Sequence, residues 1–414
     1  LFQSSSSTGS CSGGLPAARG GRPVGDTYLP CASSWIDEED IAAVERALRG
    51  GRLAGGPLVA EFEREFASYV GAGYAVAVSS GAAGPHIAAA AAGIAHREEV
   101  ITSPIAPLAA ACCALYQGAA AVFADIDIHT YNMDPAEVEV KINPLTRAVV
   151  AVHFAGQPCD LDAIHLLAGK NGFTVIEDAT RSLGAEYGGR RVGALSDLTV
   201  FSFRHPQGPV TGEGGMVTTN SEELYGWLKL FRNNGIVTEP GMMTRYEGPW
   251  YFEMQELGFN YRMSDLQAAL GLSQLKKADR FLKRREEIAS FYNEAFQGMR
   301  TLNVPGVLAG VRPAWQMYVL GLRLERLKAD RLEIFNALRA ENIGVEVHYP
   351  LLFRHPYFVW QGHKDICTLE GSLCPRAEDL YQTFISLLVF PAMSDRDAED
   401  VVTAVKKVMA YYSL

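Results

Sequence analysis

Four segments of the chain set small, polar or charged residues directly after apolar runs, where binding and catalytic groups are readily placed. Ser79-Ser80-Gly81-Ala82-Ala83 joins a β-rich run to a helical one, and its small residues either leave backbone N–H groups free to hold a phosphate or simply make a tight turn. Glu177-Asp178-Ala179 closes another such run with two carboxylates, suited to pair with a cationic ring nitrogen or to cap a helix. The stretch from Phe201 to Gly215 crowds Ser202, Arg204, His205, Gln207, Thr211 and Glu213 between an apolar run and a Gly212-Glu213-Gly214-Gly215 turn, the composition of a binding loop. Leu257 to Ser264 carries Asn260 and Arg262, which suit a phosphate, beside Ser264, which suits a helix N-cap.

Positioning these groups requires a scaffold, and the pattern of apolar residues supplies one. From Tyr74 to Pro209, short runs rich in Val, Ile and Ala (75–78, 100–102, 121–124, 148–152, 174–176 and 198–203) alternate with Ala- and Leu-rich segments of helical length. Continuous apolar strands between helices predict a largely parallel sheet covered on both faces, with ligands beyond the carboxyl ends of its strands. Ahead of it, the acidic run Asp37 to Asp40 opens a helix bearing Ile41, Val44 and Leu48, and Pro57 opens a second with Leu58, Phe62, Phe66 and Tyr69 on one face. Residues 265–296 read as one long helix with a Lys/Arg/Glu-rich exposed face, and strands at 318–322 and 344–348 followed by a last helix at 397–409 predict a smaller α+β unit. The expected organisation is a tail over 1–25, a large α/β domain over 26–260, a linking helix over 261–299 and a small C-terminal domain over 300–414.

The 414 residues, 48% hydrophobic and 20% charged, have an ordinary globular composition long enough for two or three packed units, so wholesale disorder and coiled-coil readings fail. A net charge of −10 argues against nucleic acid as a partner, and the longest apolar stretch, near Ile87 to Ala95, falls far short of the roughly 20 residues that span a membrane. Seven cysteines (Cys11, Cys31, Cys112, Cys113, Cys159, Cys367, Cys374) show neither disulfide nor zinc spacing and read as buried thiols of a cytoplasmic protein without a metal. Leu1-Phe2-Gln3 reads as the scar of a cleaved tag, and the Ser-, Gly- and Arg-rich residues to about 25 are expected to lie outside the fold.

Taken together and in order, these segments closely resemble the nucleotide-sugar aminotransferases of the DegT/StrS group, fold-type-I enzymes that use pyridoxal phosphate. The resemblance runs from about residue 28 onward through Gly51-Arg52-Leu53-Ala54-Gly55-Gly56-Pro57, Phe123-Ala124-Asp125-Ile126-Asp127, Val152-His153-Phe154-Ala155-Gly156-Gln157-Pro158, the Gly212 to Gly215 turn and Val347-His348-Tyr349-Pro350. It implies the fold-type-I architecture, a large domain with a mostly parallel sheet plus a small α+β domain, and a homodimer with pockets at the interface. It also implies that Asp178 pairs with the cofactor ring nitrogen, that Gly81, Ala82 and Ser202 line the phosphate site, and that Asn260 contacts the phosphate of the neighbouring subunit. His348 and Tyr349 fall on the substrate side.

The same resemblance exposes departures. Counting from Ser202-Phe203, the family's catalytic lysine falls on Gln207, whose amide can neither form a Schiff base nor shuttle a proton. Pro107 stands where the family has an aromatic that stacks on the ring, Ala82 replaces a phosphate-binding hydroxyl, Arg181 replaces a glutamine, and Gln316 stands where a histidine is usual. Arg181, Arg204 and His205 add basic groups, and Arg181 is expected to form a salt bridge with Asp178. The expectation is therefore a repurposed, lysine-independent enzyme of sugar or natural-product biosynthesis, in which Arg181 and Arg204 bind an acidic small molecule and His205 is the titratable group, with the cofactor absent or noncovalent. The alternatives are a deoxysugar dehydratase-like enzyme using noncovalent pyridoxal or pyridoxamine phosphate, a catalytically silent partner of an active paralogue, and an engineered Lys-to-Gln variant of an aminotransferase.

Overall fold

The computed structural model describes residues 14–204, 208–360 and 372–414. A seven-stranded sheet is built from β1 (Tyr74–Val78), β2 (Glu99–Thr102), β3 (Ala120–Phe123), β4 (Thr146–Val152), β5 (Thr174–Asp178), β6 (Leu198–Ser202) and β7 (Gly215–Thr219), in the order β1-β7-β6-β5-β4-β2-β3. Pairs among β2 to β6 are parallel, whereas β7 runs antiparallel to both β6 and β1. The β7 strand has no counterpart in the sequence reading, because Gly215 and two threonines dilute its apolar signal.

Both faces of the sheet are covered, which is why its strands are apolar throughout rather than alternating. On one face Val76, Val150, Val152, Ile176 and Val200 pack against the helices Ala83–Ala91, Leu108–Tyr116 and Glu222–Arg232. On the other, Phe62 and Phe66 of the helix Pro57–Val70, with Ala268 and Leu275 of the helix Asp265–Leu275, cover Phe201, Phe203 and Met216. A second, antiparallel sheet of β8 (Leu302–Asn303), β9 (Tyr318–Leu322), β10 (Val345–Glu346) and β11 (Phe384–Leu387), in the order β8-β9-β11-β10, packs against the helices Arg331–Ala340 and Asp395–Tyr412.

The single long helix expected between 265 and 296 is two helices, Asp265–Leu275 and Ala278–Phe296. The break carries no Gly or Pro. It falls where Gln274 donates to the Trp35 carbonyl and to Asp40, while Lys277 reaches Asp37 and Asp40, so contacts with the first helix override local propensity. The second helix still bridges the two cores, with Ala278 and Leu282 in that of the large sheet and Ile288, Tyr292 and Phe296 in that of the small one. Arg285 on this helix is buried rather than part of its charged face, and burial pulls its guanidinium down to about 10; one Nη donates to the Gly208 carbonyl at 3.4 Å.

The N-terminal segment also differs from expectation. From residue 14 onward it is docked: Ala17 N–H and Val24 N–H donate to the two carboxylate oxygens of buried Glu341 at 2.8 and 2.9 Å. Composition alone misses this because Glu341, which also binds Lys407, is more than 300 residues away. Among the described cysteines Cys113, Cys159 and Cys374 are buried, whereas Cys31 and Cys112 are only half-buried; all five are free thiols, and Cys11 and Cys367 lie outside the described residues.

Candidate functional site

The parallel strands end on the same side of the sheet: Asp178 closes β5 opposite Val200, two residues before Ser202 closes β6. Asp178 is 2% exposed; its Oδ1 accepts from Thr180 N–H at 3.1 Å and Thr180 Oγ at 2.6 Å, and its Oδ2 has no hydrogen-bond partner among the described residues. Burial raises its carboxyl above the ordinary carboxylate range against the lowering effect of those bonds. Ser202 faces the loop after β1, where a Cβ on Gly81 would sit 2.4 Å from Ser202 Oγ, so only glycine allows that approach. Ala82 is exposed and caps nothing; Ser80, one of the small residues of the turn, instead accepts from Ala83 N–H at the helix start.

Arg181 does not form the expected salt bridge with Asp178. Its Nε donates to the Tyr349 hydroxyl, and its guanidinium lies 5.4 Å from the centre of that ring. No ion pair of Arg181 occurs among the described residues. Tyr349 reaches this place because Val347 and Tyr349 pack on the large-sheet core and Leu352 N–H donates to the Pro104 carbonyl, pinning the segment to the loop after β2. Burial raises the Tyr349 hydroxyl above its ordinary value, with Arg181 opposing. The same burial, reinforced by Arg181, brings the neighbouring His348 imidazole down to about 3, and its Nδ1 is buried without a partner among the described residues.

Other sequence candidates are placed differently. Arg204 turns outward, 70% exposed at its side chain, and pairs with Glu213 at 3.5 Å, so it stands at the rim rather than beside Asp178. Pro107 starts the helix Leu108–Tyr116. Asn260 is exposed and touches its own chain through a backbone bridge to Asn233. Gln316 is tied by its backbone N–H to the Ala155 carbonyl at 3.1 Å, and Gly156 beside it has no room for a side chain, since a Cβ would meet the Arg181 carbonyl at 2.8 Å. His205 and Gln207 lie outside the described residues.

One pair was overlooked as a functional element although its motif was noted. His153 and Glu177, both fully buried, are joined Nε2 to Oε2 at 2.8 Å behind the site. Cys159 N–H donates to His153 Nδ1 at 3.3 Å, which leaves the ring proton on Nε2 to be donated to Glu177. Burial works against the charge on Glu177, but His153, Ser196 and Thr199 outweigh it and hold its carboxyl below the usual range. Because neighbouring strand residues face opposite sides, Glu177 anchors β5 from the face away from Asp178. A cleft of about 830 Å³ between the helices Glu38–Arg49, Pro57–Val70 and Asp265–Leu275 holds none of the candidate residues. Among the described residues no cluster suits a metal ion, and no helix is long and apolar enough to cross a membrane.

A mostly parallel sheet of this order, covered by helices and followed by a small antiparallel unit, is the fold of the fold-type-I aminotransferases. The chain belongs to the DegT/DnrJ/EryC1/StrS aminotransferase family, which it matches over residues 34–406. It is 41% identical over 384 residues to the spore coat polysaccharide biosynthesis protein SpsC of Bacillus subtilis, covering 92% of this chain and 97% of that one. It is 35% identical over 370 residues to a UDP-4-amino-4,6-dideoxy-N-acetyl-beta-L-altrosamine transaminase of Campylobacter jejuni, covering 88% and 93% of the two chains. The structure of PseC from Helicobacter pylori, an aminotransferase of pseudoaminic acid biosynthesis, superimposes with a TM-score of 0.85 at 27% identity over 93% of this chain and all of that one. The fold-type-I architecture and the kinship with sugar-biosynthetic aminotransferases therefore stand.

Proposed function

We propose that the protein is a lysine-independent member of its family, an enzyme whose pocket binds an acidic small molecule or sugar-derived intermediate in bacterial sugar or natural-product biosynthesis. The observation that carries this reading is Arg181, a guanidinium fixed by Tyr349 three residues from the buried Asp178, in a sequence with Gln207 at the lysine position. Arg181 is the anion anchor, Arg204 and Glu213 form a charged rim, and His205 is assigned the titratable role. Purified protein incubated with pyridoxal phosphate and reduced with borohydride is expected to carry no stoichiometric lysine adduct. Mass spectrometry that locates one reduced lysine in the pocket overturns the reading.

One observation favours a second reading, in which the cofactor is held without a covalent bond. The unpartnered Oδ2 of Asp178 suits a ring N–H, and the close approach of Gly81 to Ser202 suits a phosphate, so the residues present fit that group. When bound, it supplies an electron sink that acidifies the carbon next to the reacting nitrogen. Asp178 then holds the ring nitrogen protonated, while Ser80, Gly81 and Ser202 fix the phosphate end. Near-ultraviolet absorbance that survives gel filtration selects this reading; a colourless, phosphate-free protein rejects it.

Assembly as a homodimer belongs to the same proposal, with a heterodimer with an active paralogue as the variant. Its support is the excursion between Ile236 and Asn260, whose polar groups fold inward onto Glu253 while Tyr246, Trp250, Phe252, Met254 and Leu257 are exposed. It leads straight into Asn260 and then Tyr261, whose carbonyl accepts from Ser79 N–H in the site loop.

A further inference from the structure

The family match begins at residue 34, yet the segment ahead of it is fastened to the small domain at close intervals. Both carboxylate oxygens of fully buried Glu341 accept from this segment, Oε1 from Ala17 N–H at 2.8 Å and Oε2 from Val24 N–H at 2.9 Å. Lys407, on the helix Asp395–Tyr412, joins the two sides: its Nζ donates to Glu341 Oε2 at 2.9 Å and to the Arg22 carbonyl at 2.6 Å. Arg19 is held by Glu333 and by the Tyr412 hydroxyl. A buried carboxylate is costly unless charge-assisted bonds compensate it, and here backbone N–H groups of the N-terminal segment supply two of them. The same segment then runs beside the stretch that leads into the site. Gly25 N–H donates to the Glu341 carbonyl at 3.2 Å and Asn342 Nδ2 to the Gly25 carbonyl at 2.8 Å. Leu29 N–H donates to the Asn342 carbonyl at 2.9 Å, and Gly344 N–H to the Leu29 carbonyl at 2.8 Å. The two chains lie so close that a Cβ on Gly344 would stand 2.6 Å from Cys31 N.

We propose that residues 17–31 are a strap that positions the His348–Tyr349 segment, and through it the Arg181 guanidinium, with Glu341 as the positioning residue that fastens the strap. Residues 341–344 connect the helix Arg331–Ala340 to β10 (Val345–Glu346), and β10 passes directly into Val347, His348 and Tyr349, whose hydroxyl accepts from Arg181 Nε. The segment that enters the site is thus pinned at both ends. After Tyr349 the pin is Leu352 N–H on the Pro104 carbonyl, which belongs to the large domain; before it the pins are the strap's bonds to Glu341, Asn342 and Gly344. Releasing the strap frees the Gly344 N–H and the Asn342 carbonyl three to seven residues ahead of Tyr349, with no change to any group that lines the site. The inference concerns how Tyr349 is held and stands whichever ligand the pocket takes.

Trypsin and hydrogen exchange read the two ends of this chain of contacts in the full-length protein. Arg19 is the first Lys or Arg of the sequence, so cleavage after it reports release of the strap, with a synthetic peptide of residues 14–25 as the undocked reference. Ala17→Pro/Val24→Pro deletes both N–H donors and leaves the small domain chemically unaltered, whereas Glu341→Gln alters the acceptor alone. In both, cleavage after Arg19 is expected to be about tenfold faster or more, the worth of one hydrogen bond to a charged group. In the double proline variant, amide exchange over residues 342–349 is expected to rise by about tenfold or more, while that of the helix Asp395–Tyr412 stays unchanged. Cleavage of the unaltered chain as fast as the free peptide, or cleavage that neither variant accelerates, overturns the strap. Accelerated cleavage with exchange over 342–349 unchanged, or raised equally throughout the small domain, overturns the positioning role, since a strap that only stabilised the domain would move all of its amides together.

Discussion

Replacing His153 by leucine tests whether the buried pair behind the site holds the strand end that carries Asp178. In the native chain the imidazole donates to Glu177 at 2.8 Å and accepts from Cys159 N–H, with both side chains at zero exposure. Leucine fills a similar volume, so the cavity term is small and the electrostatic one dominates. Glu177 is left as a buried carboxylate short of a donor, a loss of about 3–5 kcal/mol, and the orphaned Cys159 N–H adds about 1–3 kcal/mol. Removing the carboxylate as well, in His153→Leu/Glu177→Leu, keeps the Cys159 cost and also leaves Thr199 Oγ without its acceptor, so it is expected to recover only part of the loss. The pH dependence has a definite sign. The native Glu177 carboxyl lies below its unfolded value, so its contribution is fully present above about pH 4.3 and is lost as the pH falls through the folded value. Without His153 the folded value rises, and the acid limb of stability moves to higher pH. Urea unfolding followed by circular dichroism between pH 4 and 8 measures both effects, and a single variant that costs less than about 1 kcal/mol, or a double variant no better than the single, refutes the reasoning.

Gly81→Ala places a methyl 2.4 Å from Ser202 Oγ and is expected to weaken phosphate-bearing ligands by about tenfold or more while the chain still folds, as read by calorimetry and thermal melting. Gln207→Lys alone is expected not to restore transamination, because Pro107 offers no ring, Ala82 no hydroxyl, and Arg181 is tied to Tyr349; rapid conversion of added pyridoxal phosphate to its pyridoxamine form with glutamate contradicts this. Trp250→Ser with Leu257→Ser, both exposed in the single chain, is expected to shift sedimentation from twice the chain mass to the chain mass, and an unchanged dimer removes this surface from the interface.

The sequence carried the sheet well where strands were uninterrupted apolar runs: the six runs between 75 and 203 match β1 to β6 with small shifts at their ends. It failed where the deciding contact is distant in the chain. The helix break at 276–277 is set by residues 37 and 40, the docking of residues 17 and 24 by Glu341, and the orientation of Arg181 by Tyr349, 168 residues away. Local proximity was misleading in the same way. Asp178 and Arg181 look like a salt bridge at three residues' spacing, yet Tyr349 wins the guanidinium, and Arg204 lies two residues past Ser202 but is drawn outward by Glu213. The placement of Asp178 and Ser202 at strand ends and of Gly81 in a tight turn was legible because these are local signals; the His153–Glu177 pair was partly so, as a histidine and a carboxylate ending adjacent apolar strands.

The state of Asp178 separates a working pocket from an inert scaffold. An unpartnered buried carboxylate oxygen costs the folded chain about 1–3 kcal/mol, and holding Arg181 unpaired beside it forfeits the most direct way to relieve that cost. A subunit that served only to stabilise a partner would gain from an apolar side chain at 178, or from an Arg181 released to pair with it. The chain instead surrounds the aspartate with features that keep its position fixed: Thr180 on Oδ1, the His153–Glu177 pair on the reverse face of the strand, and the Gly81–Ser202 approach on the neighbouring one. Positioning of this kind suits a bound molecule. Pro107 and Gln207 depart at the groups that would stack on or bond covalently to a cofactor and Ala82 at one phosphate hydroxyl, while Asp178, Gly81 and Ser202 are retained, which supports the proposed ligand-binding enzyme over a silent subunit.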